Sequence, residues 1–159
     1  MIETERAHCP ICGSAVEVPV DLLAGLAAAP AAIAKAVRSA PGSGDGWSPG
    51  EIAAHLADSE VGFAWRLRQV LAQDEPELQP FDQDDWASAL RYAEREAEAS
   101  LASFAALRAV NVEILSRLSK SEWKRRFRHP EFGHQTLRTL MRHEADHDLA
   151  HLRQIEAGA

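Results

Sequence analysis

Cysteine is nearly absent. The 159-residue chain carries two, Cys9 and Cys12, and one CxxC pair is too little to staple a disulfide framework. Positive charge is also short, with 17 Lys and Arg against 24 Asp and Glu and a net charge of −7. No basic stripe is left to displace counterions from a nucleic-acid backbone, so nucleic acid is not an expected partner. No charged-then-apolar leader opens the sequence, and no apolar run approaches the roughly 20 residues that span a bilayer. The expectation is a cytoplasmic protein without a membrane partner. Segments that alternate apolar and polar residues over more than four positions are missing too, which argues against a sheet. The length suits one domain with a real core and is short for two.

What is present is helical periodicity. Residues 1–19 are polar, contain Pro10, Gly13 and Pro19, and read as an irregular extension. A first helix is expected over 20–40, where Leu22, Leu23, Leu26, Ile33 and Val37 recur at helical spacing and Pro30 should interrupt or kink it. The stretch SPGE then supplies an N-cap in Ser48, a proline at the first helical position and Glu51 to complete a capping box. A second helix follows to about Gln73, with Ile52, Leu56, Phe63 and Leu67 on its apolar face. The spacing predicts a third over 86–118, capped by Asp84 or Asp85, and a fourth over 136–156, capped by Thr136 or Gln135 and stopped by Gly158. The reading is an all-α four-helix bundle over 20–159, with connections long enough for a crossover topology.

The fourth helix carries HEADHDLAHLRQI. Histidines four apart lie on one helical face with Cβ atoms about 5–6 Å apart, close enough to share an ion. Taken as HExxH, His143 and His147 would bind zinc with Glu144 as base, a zinc hydrolase. The third ligand is hard to find: position 153 is Arg and 150 is Ala, where a metzincin needs His and Gly, and the twelve residues after His147 do not reach the glutamate of a gluzincin. The pair His147 and His151 needs a ligand from elsewhere among His8, His55, His129, His134 and His143. His55 fits best, one turn into a well-capped helix beside Ile52 and Leu56. Singly it would read as a histidine satisfied by a carbonyl. Asp58, Glu144 and Asp148 each stand three residues from one of these histidines, where a carboxylate can take the second ring N–H of a ligating imidazole; a solvated acidic face would put them there too.

Two blocks, GWSPGEIAAHLADSE (46–60) and HPEFGHQTLRTLMRHEADHDLAHLRQI (129–155), resemble the DinB/YfiT-like family of metal-binding four-helix bundles. The resemblance implies three metal ligands at His55, His147 and His151, a divalent ion, zinc or nickel, completed by water, and a homodimer. His143 becomes an extra. It also implies thiol-dependent transferase chemistry of the bacillithiol or mycothiol kind in some branches, with a small-molecule thiol as partner. For such an enzyme Glu144 and Asp58 are the candidate catalytic side chains, to orient ligands or accept a proton. The alternative is a non-enzymatic metal-binding or stress-responsive dimer.

The leading HCPICG departs from that pattern and resembles half of a zinc ribbon. Cys9 and Cys12 form a second candidate metal site, with His8 as a third ligand or a second copy supplying the other half. A redox dithiol and no special role stay open beside it.

Overall fold

The computed structural model describes residues 2–9, 14–40 and 46–158, so Cys12 and the rest of the knuckle at 10–13 lie outside the described residues. Four long helices form the body: α1 (Leu22–Ser39), α2 (Pro49–Ala72), α4 (Ala97–Ser116) and α5 (Leu137–Glu156), with a short α3 (Gln83–Ala89) in the connection between α2 and α4. α1 packs on α4 and α5, and α2 packs on the same two. Chain-consecutive α1 and α2 therefore stand diagonally, which is a crossover arrangement.

The two helices bearing the paired histidines and His55 start at fixed points. The Ser48 hydroxyl accepts from the Glu51 amide at 3.2 Å while the Glu51 carboxylate accepts from the Ser48 amide at 2.8 Å, the reciprocal box that satisfies two otherwise unmet donors. At α5 the hydroxyls of Thr136 and Thr139 do the same for each other's amides.

Three elements depart from the sequence reading. The described residues of the 1–19 extension are not irregular: β1 (Thr4–His8) and β2 (Ala15–Pro19) pair antiparallel and dock on α5. A second antiparallel pair, β3 (Arg126–His129) and β4 (Gly133–Thr136), precedes α5, with Gly133 at φ 67° in its turn. Strands of four and five residues are too short to show a period, and fully buried Val18 and Phe127 anchor them to the helices. Third, the helix expected over 86–118 is broken. The Asp82 carboxylate accepts from the amides of Asp84 and Asp85 and starts α3 early, and Arg91 in the left-handed region (φ 49°) ends it. A 3-10 turn at Tyr92–Glu94 then carries Tyr92 into the interior before α4 restarts.

α1 is a single helix through Pro30. Gly25 in it is required by close approach, because a Cβ there would lie 2.2 Å from the Pro19 ring of β2. By length and composition α1 and α4 are apolar enough to cross a membrane, which no simple apolar run in the sequence suggested. Only 22% and 33% of those windows are buried, which leaves their outer faces uncovered.

The core lies in two apolar clusters. One gathers Phe63, Leu67, Val70, Leu115, Leu140 and Met141, the other Ile33, Ile52, Leu56, Phe104, Leu149 and Ile155. Between them along α2, α4 and α5 runs a buried polar layer of Glu60, Arg108, Asn111, Glu144 and Asp148.

Candidate metal centre

His55 on α2 and His147 and His151 on α5 converge. The Nε2 atoms of His55 and His147 are 2.9 Å apart, the three ring centroids are 4.6 to 5.0 Å from one another, and one ligand atom from each falls within a 4.8 Å group that can hold a metal ion. His55 is buried, while His147 and His151 are half-buried, so the group is closed from the core side and open on the other. Trp47 packs edge-on to His55 at 5.1 Å, and Phe63 lies 6.4 Å from His147.

Burial disfavours the imidazolium, and neighbouring imidazoles add to the effect. His55 is pushed down to about 4, by burial first and then His151. His147 is held well below its ordinary range by burial, His151 and His55, and burial lowers His151 as well. Neutral imidazole is the form that ligates. The Nδ1–H of His151 donates to Gln154 Oε1 at 2.9 Å, which leaves its Nε2 as the ligating atom. His55 Nδ1 and His147 Nδ1 meet no hydrogen-bond partner. Three imidazoles that burial holds toward the neutral form, each offering a ring nitrogen within 4.8 Å of the others, fit a divalent metal in their donor set and their arrangement.

The carboxylates are not where the sequence reading put them. Glu144 and Asp148 turn into the core, where Arg108 donates to Glu144 Oε1 at 2.6 Å, to Asp148 Oδ2 at 2.5 Å and to Glu60 Oε2 at 2.7 Å. Asp58 accepts from Arg95 Nη1 at 2.6 Å. None is hydrogen-bonded to a ligating histidine, because an acid three residues from a histidine on the same helix serves whichever neighbour carries the stronger charge, and here that neighbour is a guanidinium. An HExxH centre would need Glu144 beside the ion, whereas its carboxyl is buried against Arg108 and is raised well above the usual range by that burial and by Glu60.

His143 faces elsewhere, with its Nδ1 3.3 Å from the Cys9 sulfur. His8 is exposed on β1. His129 hydrogen-bonds its own turn, accepting from the Glu131 amide, and exposed His134 stands 3.6 Å from Glu75, so neither joins the cluster. Two participants escaped the sequence reading. Gln154 was legible as a polar residue three after His151, and Arg108 as a lone cation inside the apolar run FAALRAVN.

Residues 18–155 match the model of the DinB superfamily. The chain belongs to the DinB superfamily. Among DinB relatives, a protein of Oceanobacillus iheyensis provisionally named a metal-dependent hydrolase is 33% identical over 88 residues, which is 55% of this chain and 51% of that protein. YfiT of Bacillus subtilis, provisionally named likewise, is 28% identical over 86 residues, 54% of this chain and 48% of YfiT. The matched segments span about half the length of these relatives. The solved structure of Bacillus subtilis YfiT, described as an unusual four-helix bundle, superposes with a TM-score of 0.72 over 86% of this chain and 84% of that one at 24% identity, which establishes the fold.

Proposed function

We propose that this DinB protein is a metal-dependent enzyme whose single catalytic cation, zinc or nickel, is held by His55, His147 and His151. The convergence of three neutral imidazoles with one side open carries this reading. Structural zinc sites usually close on four protein ligands, whereas catalytic ones use three and keep a position for water or substrate. A cation so held supplies Lewis-acid activation of a bound nucleophile.

The protein's own residues do the rest. Gln154 fixes the His151 tautomer, Trp47 and Phe63 wall the imidazoles, and the capping boxes of α2 and α5 fix where the two ligand-bearing helices begin. Among the described residues no carboxylate is hydrogen-bonded to the three histidines, and Asp58, Glu144 and Asp148 are paired with arginines. That favours a nucleophile acidic enough to ionise without a protein base. A thiol, with an ordinary pKa near ~8.5, starts closer to ionisation than water at ~15.7, which a bound cation must bring down to about 7. The reaction we assign is therefore transfer to or from a low-molecular-weight thiol. The provisional names of the relatives favour a second reading, hydrolysis by bound water. We also propose a homodimer.

Metal analysis after dialysis tests the ligand set: His55→Ala and His151→Ala should each lose one metal equivalent relative to wild type, and full retention in both would overturn it. Visible absorption of the cobalt-loaded protein should shift on titration with a small thiol. Absence of a shift, together with turnover of ester or amide substrates, would transfer the assignment to hydrolysis.

A further inference from the structure

A second cluster of ligating groups lies one helical turn before the first. The β1–β2 hairpin delivers Cys9 to the surface of α5, where it is 2% exposed and its amide donates to Ser14 O at 2.8 Å. Its sulfur is 3.3 Å from His143 Nδ1. Asp146 stands three residues after His143, on the same face of α5. The sulfur, an imidazole nitrogen and a carboxylate oxygen of these three residues lie within 4.8 Å of one another. The approach is held by more than the cluster itself. Arg142 meets Glu5 at 3.4 Å, Arg153 meets Glu17 at 3.3 Å, and Val18 of β2 is fully buried.

We propose that Cys9, His143 and Asp146 form a second metal site, suited to zinc, that fastens the N-terminal hairpin to α5 beside the three-histidine centre. The donor set is mixed: thiolate, imidazole and carboxylate are the three ligand types zinc accepts, while the thiolate selects against magnesium and calcium. The three ligands come from the hairpin and from α5, with Cys9 and His143 134 residues apart in sequence, so binding ties the hairpin to the helix, and the fourth position is left to water or a further donor. His143 thereby gains a role that the three-histidine centre does not give it, and Cys9 ligates with residues of α5 whether or not the remainder of the knuckle takes part.

The probe is cobalt(II) titrated into the full-length, chelator-treated chain under reducing conditions. Two equivalents should bind, one of them raising the near-ultraviolet sulfur-to-cobalt charge-transfer band that a purely histidine site cannot give. Cys9→Ser and His143→Ala should each lose that band and one equivalent, with Asp146→Asn weakening the same equivalent. His151→Ala should keep the band while losing the other equivalent, so failure of one site is distinguishable from failure of the other. Far-ultraviolet circular dichroism checks that each variant is folded, and Asp146→Asn serves where a larger change is not tolerated. Absence of the band in wild type overturns the proposal, as does its persistence in folded His143→Ala, which would mean that the thiolate finds its partners elsewhere.

Discussion

Arg108 is the residue on which the interior depends. It is 2% exposed, lies 4.8 Å from the Phe104 ring and donates to three carboxylates on two helices. Removing one partner of a buried ionic cluster strands the others, at a cost of about 3–5 kcal/mol. Arg108→Met should lower the unfolding free energy of the metal-free protein by about that much in urea titration, whereas replacing exposed Arg38, paired with Glu98, should leave the midpoint where it was. The same layer shapes the pH dependence. Burial pushes the Asp148 carboxyl up from 3.8 to about 6 even beside Arg108, so the folded chain keeps a proton that the unfolded chain has released. Stability from that group is complete below 3.8 and is lost as pH rises through about 6. His55, pushed down from 6.5 to about 4, runs the other way: its contribution is complete above 6.5 and is lost as pH falls through about 4. The two oppose each other in one window. Metal-free Asp148→Asn should therefore gain stability with rising pH between about 4 and 6.5 more steeply than wild type, and an unchanged slope would show that Asp148 ionises normally.

Among the elements, α1 explains why a proline at mid-helix is tolerated. Pro30 has no N–H for the Leu26 carbonyl four residues back, and Arg108 Nη1 donates to that carbonyl at 3.1 Å. A donor from α4 replaces the missing rung, so the helix runs on. Restoring the amide in Pro30→Ala gives Leu26 a second donor and should reduce the cost of Arg108→Met by about 1 kcal/mol in a double-mutant cycle; additivity would mean that the Leu26 carbonyl draws nothing from Arg108. The same contrast between local and distant causes governs what could be read from the sequence. Ser48, Glu51 and Thr136 act on their own neighbours, and the starts of α2 and α5 were legible from them. The pair at 147 and 151 was legible as helical spacing, and His55 as an apolar-edge position. The break at Arg91 was not, because Trp86, Leu90 and Ala97 fall on one apparent row, although the charged run at 91–96 crosses it. Nor was the destination of Glu144 and Asp148, which depends on a guanidinium from a helix some forty residues away.

At the scale of the whole molecule, the four helices form a ring in which the α2–α5 edge, holding the histidines, lies opposite the α1–α4 edge. That far edge carries a groove of about 480 Å³ lined mostly by small apolar side chains, among them Ala27, Ala31, Ala34, Ala105 and Ala109, together with the Arg38–Glu98 ion pair. Water gains nothing from such a face, and small side chains let a second pair of helices approach closely. At 1.5 Å per residue the two helices present a strip about 27 Å long and some 20 Å wide, so pairing two copies would bury on the order of 1,000 Å², near the lower bound for a specific interface. Pairing there would put the three-histidine clusters of the two copies on outer faces, away from each other. Wild type should sediment as a dimer and Ala105→Glu, which drives a charge into the groove, as a monomer with its metal content unchanged. A wild-type monomer, or a variant dimer as tight as wild type, would mean that α1 and α4 meet something else.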